Sequence, residues 1–189
     1  MSDGPLGDRK KALEDSFFAK ENAKLLAHLR DEREKRAAKE GLAEMSGIGD
    51  SELLDKLVSL DITPDTWAAL ALVPLVEVAW ADGRMEEKER RAVLTAAEAG
   101  GVTPGTASAK LLESWLTRRP DGRLMESWGA YIVEICGSLP LSQRENLCKE
   151  IIGRARGVAE ATGGLLGLGN RVGPEEKTVL AELEKAFEG

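Results

Sequence analysis

Histidine is almost missing from this chain: His28 is the only one in 189 residues. That excludes histidine-rich zinc sites and every catalytic triad or dyad that needs a histidine in the core. Cysteine is scarce as well. Cys136 and Cys148 do not have CxxC spacing and are too few for a disulfide framework, so they read as two thiols of a cytoplasmic, reducing environment. Seven prolines and 20 glycines are too few for a collagen-like or low-complexity chain. Long hydrophobic runs are missing too. The best stretch, residues 67–81, is short and is interrupted by Pro74 and Glu77, so no membrane insertion is expected. The first ten residues have neither the apolar segment nor the small-residue cleavage site of a signal peptide. Excess positive charge is also lacking: 26 basic against 33 acidic residues give a net charge of −7, which predicts no nucleic-acid partner. No activated nucleophile with a base beside it is visible, so the chain is read as non-enzymatic.

What is present is helix. Hydrophobic residues are 42% of the chain, enough for the core of one domain, and no stretch alternates with period two. The fold class expected is all-α, a compact bundle of about seven or eight helices. The first is an N-terminal arm, residues 1–45. Leu13, Phe17, Phe18, Leu25, Leu26 and Leu29 recur at helical spacing and form one apolar stripe. The stripe stops at Leu29, and Arg30–Arg36 alternates in charge as a solvated helix does. Phe17, Phe18, Leu25 and Leu29 are therefore the candidate partner-binding residues. Gly41, Gly47 and Gly49 predict a linker, and residues 50–189 then form the helical domain.

Within that domain Ser51 is the expected N-cap of a short helix to Leu60. Thr63-Pro64 starts a helix over residues 65–81 that is apolar almost all round, with a kink before Pro74. Asp82-Gly83 ends it. Further helices are expected over 86–99, 106–118, 125–139, 142–162 (opened by a Ser142–Glu145 capping box) and from Pro174 to about Phe187. A second Thr-Pro start is read at Thr103-Pro104, and residues 163–173 form a glycine-rich connection. Packing inside the protein is the default for Trp67, Trp80, Trp115 and Trp128.

Two internal echoes carry the chemistry. Val76-Glu77-Val78-Ala79 and Val133-Glu134-Ile135-Cys136 put one carboxylate on each of the two most apolar helices. Gly83-Arg84-Met85 with Glu89 is matched by Asn170-Arg171-Val172 with Glu176: a tight turn, an apolar plug, then a helix with Glu in its first turns. At Leu75–Arg90 and Asn170–Lys177 the chain resembles the TerB-like family, named for tellurite resistance, over about residues 64–188. The resemblance implies two helical hairpins, an acidic surface, divalent-cation binding in some members and a role in stress-associated assemblies. Carried over, Glu77, Asp82 and Glu89 would form the metal-binding cluster, with Glu176 of the second copy as a weaker member; Asn170 departs from the pattern. Glu134, expected to be buried on its apolar helix, is a further weak metal candidate on that ground alone. Oxygen ligands of this kind suit Ca²⁺ or another hard divalent cation. Read from burial alone, Glu77 and Glu134 each need an arginine or a helix N-terminus if they are not ligands. The arm, from Asp8-Arg9 to Phe17, is similar to the start of the ζ-type inhibitor of bacterial ATP synthase. That likeness implies capture of a larger complex such as an ATPase as the alternative to cation or protein binding through the acidic turn.

Overall fold

A computed structural model describes residues 5–162 and 172–188, with side chains from 19 to 161 and from 172 to 188. Among the described residues the chain is all-helical: α1 (Pro5–Ser46), α2 (Ser51–Ser59), α3 (Trp67–Leu70), α4 (Val73–Ala79), α5 (Glu87–Ala99), α6 (Ala107–Thr117), α7 (Arg123–Ser138), α8 (Leu141–Thr162) and α9 (Pro174–Lys185). No described helix is long and apolar enough to cross a membrane.

The expected helix over 65–81 is in fact two. Pro74 has no N–H and its ring crowds the carbonyl four residues back, so the chain breaks at Ala71–Leu72 and Pro74 becomes the second residue of a new helix. α4 is short but central. Val73, Leu75, Val76 and Val78 are each at most 1% exposed, and α4 packs against α5, α7, α8 and α9. Two hairpins, α4–α5 and α8–α9, thus face each other, with α4 and α5 both against the long α8. Trp128 on α7 is 1% exposed and meets Phe187 edge-on, and Trp115 is buried as well. Trp67 and Trp80 are only partly buried. Trp67 stands edge-on to Tyr131, and the Trp80 ring N–H donates to the Trp115 carbonyl at 2.9 Å.

Several helix starts differ from the sequence reading, and at α2 and α6 a better-placed oxygen wins. Asp50, not Ser51, caps α2: its Oδ1 accepts from Glu52 and Leu53 N–H at 2.8 and 3.2 Å. Thr63-Pro64 and Thr103-Pro104 open turns rather than helices. Thr66 Oγ1 accepts from Thr63 N–H, and Thr106 Oγ1 caps α6 through Ala109 N–H. Ser142 lies inside α8, whose first turn follows Pro140, so no capping box forms there.

The largest difference concerns the linker. α1 runs unbroken through Gly41 to Ser46, and Leu42 (0% exposed) and Ile48 (4%) belong to the core. Gly41 is not a breaker here: a methyl added to it would lie 2.8 Å from Pro64 Cγ, so the small residue lets α1 approach the turn before α3. Lys39 then pairs with Asp55 of α2 at 2.6 Å. From residue 19 to 37, by contrast, every residue of α1 is exposed. Pairs such as Lys24–Glu21 and Lys35–Asp31 support the helix there without any core.

Candidate functional site

The turn between α4 and α5 is built as a capping device. Gly83 supplies a left-handed residue (φ +82°), and Asp82 Oδ1 accepts from Arg84 N–H at 2.9 Å. Glu89, 8% exposed, reaches back so that its Oε2 accepts from Glu86 N–H at 2.6 Å. Burial pushes the Glu89 carboxyl up; that hydrogen bond opposes the shift, while the Asp82 and Glu86 charges add to it. Lys88 pairs with Glu86 at 3.1 Å.

Glu77 faces a different partner. It lies on α4 with its side chain 12% exposed, and its carboxylate is 3.8 Å from the Arg119 guanidinium, a longer reach than a hydrogen bond. Burial raises its pKa; Arg119 opposes this and the charge of Glu182 on α9 adds to it. The charges that act on Glu77 are thus those of Arg119 and Glu182, while those that act on Glu89 are Asp82, Glu86 and Lys88. The three residues expected to converge are not brought together. Among the described residues no group of three or more acidic, histidine or cysteine side chains is arranged to hold a metal ion. The reason is local: the capping bond holds the Glu89 carboxylate to its own helix start, and burial on α4 holds Glu77 against Arg119.

Glu134 has a structural partner. Its Oε1 accepts from Gly49 N–H at 2.8 Å and Asp50 N–H at 3.4 Å, clasping the α1–α2 connection to α7 across 85 residues of sequence. Glu176 mirrors Glu89: its Oε2 accepts from Gly173 N–H, again three residues back, at the start of α9. The echo between the two Glu-bearing turns is therefore a shared way of starting a helix. Asn170 and Arg171, the rest of the second copy, lie outside the described residues.

On the arm, Leu25, Leu26 and Leu29 are 56%, 57% and 54% exposed. They sit one, three and four residues apart, so they share one side of α1 and form an apolar stripe left exposed by the described residues. The side chains of Phe17 and Phe18 lie outside the described residues. Both thiols are free, and burial pushes Cys136 and Cys148 up, away from the reactive thiolate form.

A sequence reading focused on acids passed over the cations Arg90, Lys110, Arg118 and Arg119, which the fold gathers around one cleft. The available signal was the Arg118-Arg119-Pro120 triplet at a helix end, in a chain otherwise rich in acid. No protein-family model matches the chain, and no curated protein or solved structure matches it either.

Proposed function

We propose that this chain is a non-enzymatic interaction module, in which a compact helical body presents a projecting helix to a protein partner. The observation that carries this reading is the exposed stripe of Leu25, Leu26 and Leu29 on a helix that is exposed at every residue from 19 to 37. An apolar side of a helix left exposed by the described residues suits the groove of another protein. Magnitude limits the affinity: three leucines buried at about 2 kcal/mol each give a gross gain of about 6 kcal/mol, much of it offset by the cost of association. Binding through these three alone is weak and reversible. The TerB-like resemblance adds membership of a stress-associated assembly to this proposal. The cation expected at the acidic turn is no part of it, because among the described residues no group of three or more acidic, histidine or cysteine side chains is arranged to hold a metal ion.

Site-specific photocrosslinking tests the reading. A photoreactive residue at position 25 or 29 is expected to capture the same protein, and one at Ala27, about 200° around the helix from both, is expected not to. Equal capture from all three positions, or none, overturns the stripe. Crosslinks to a second copy alone make the partner the chain itself.

A further inference from the structure

A cleft of about 630 Å³ opens where α5, α6 and the α6–α7 connection meet. Four cations line it, Arg90, Lys110, Arg118 and Arg119, against two acids, Glu113 and Asp121. The balance tilts further when partners are counted. Asp121 is engaged by Arg123, whose guanidinium donates to it at 3.0 and 2.9 Å and whose backbone N–H donates at 2.9 Å, and the carboxyl is held down to about 2. Arg119 meets Glu77 only at 3.8 Å. Among the described residues Arg90, Lys110 and Arg118 have no carboxylate within ion-pair distance. On a protein of net charge −7, this is a local reversal of sign.

The remaining wall narrows the chemistry. Ser114 Oγ donates to Leu111 O at 2.7 Å and Thr117 Oγ1 to Glu113 O at 2.8 Å, so both hydroxyl protons are spent on α6 itself. Trp115 is 7% exposed and offers little ring surface for stacking a base. Recognition therefore falls to guanidinium forks and one ammonium, which match phosphoryl oxygens in geometry and charge. The volume lies within the range of about 300–1,000 Å³ typical of small-molecule sites and exceeds what a single phosphate fills. We propose that this cleft binds a small polyanion with adjacent phosphoryl groups, held by Arg118 and Lys110 with Arg90 and Arg119 completing the field.

Calorimetry of the full chain with inorganic pyrophosphate and with orthophosphate tests this directly. Pyrophosphate is expected to bind saturably at one site, about tenfold or more tighter than orthophosphate, and to weaken as salt rises from about 50 to about 200 mM. Arg118→Ala with Lys110→Ala, both exposed positions that leave the Glu77–Arg119 pair in place, is expected to lower the affinity at least about tenfold, with thermal unfolding unchanged. Lys149→Ala on α8, away from the cleft lining, is expected to bind as the wild type does. Absence of saturable heat at about 10 mM pyrophosphate, or equal binding by the double variant, overturns the site. Displacement of pyrophosphate by polyglutamate at matched charge overturns the small-ligand assignment in favour of an acidic chain.

Discussion

Asp61 shows how a single residue can hold a helix end at a cost. It is the one non-glycine with positive φ (62°) among the described residues, at the position just past the end of α2. Asp61 N–H donates to Val58 O, and Ile62 N–H to Leu57 O, so the helix closes in a left-handed cap with Ile62 folded onto Leu57, both 0% exposed. The end of α5 closes the same way through Gly101 (φ +90°), where no side chain is strained. Asp61→Gly is therefore expected to raise stability by up to about 1 kcal/mol, read from urea unfolding midpoints. A loss instead would mean that the aspartate side chain itself stabilises the cap. Glu77 governs a pH dependence of opposite sign to that of ordinary surface carboxylates. Its folded-state pKa is raised above the usual 4.5, first by burial and then by Glu182, against Arg119. The folded protein thus holds the proton more tightly than the unfolded chain does. Stability linked to Glu77 is fully present below about 4.5 and is lost as pH climbs through the raised value. Between about pH 4 and about pH 7, Glu77→Gln is expected to gain stability relative to wild type, and a gap between the two that stays constant with pH would remove Glu77 from this role.

At the scale of the element, α1 divides into an exposed and a packed part where no glycine or proline marks it. Residues 19–37 are exposed, whereas Leu42 is sealed in the core and Lys39 pairs with Asp55. Removal of residues 1–36 is expected to leave the thermal unfolding midpoint unchanged. Removal of 1–45 deletes Leu42 and is expected to cost about 2–5 kcal/mol, the range for loss of a buried leucine side chain. Equal midpoints for the two truncations would show that the last turns of α1 do not contribute to the core. This boundary was hidden in the sequence for a physical reason. Gly41 looks like punctuation, yet its small size serves a contact with Pro64 that lies 23 positions away and leaves no local trace. Helix identity and the apolar sides of α2, α5, α6 and α7 were legible because periodicity is a local property. Caps were legible only in kind. Ser51 and Asp50, or Thr103 and Thr106, compete as neighbouring oxygens, and the chain's approach angle decides between them. The acidic cluster failed for a related reason. Spacing places Glu77 and Glu89 on either side of one hairpin turn, but only the packed structure shows that one faces Arg119 and the other its own backbone.

Across the whole molecule, the two opposed hairpins give α8 an uneven task. It packs against α4, α5 and α9, so the core is organised around two helices, α4 short and α8 long. The exposed part of α1 leaves this body as a single stiff rod. At about 1.5 Å per residue, residues 19–37 extend for about 28 Å, and each residue turns the rod by about 100°. The body therefore fixes the bearing of Leu25, Leu26 and Leu29 as a hand fixes the edge of a blade. Two alanines inserted after Arg36 would swing that edge by about 200° to the far side, while seven would advance it by about 10 Å and return it to within about 20° of its first bearing. If a captured partner also touches the body, crosslinking from position 25 should vanish with two inserted residues and return with seven. Survival with both lengths would mean that the arm acts as a tether whose direction is irrelevant.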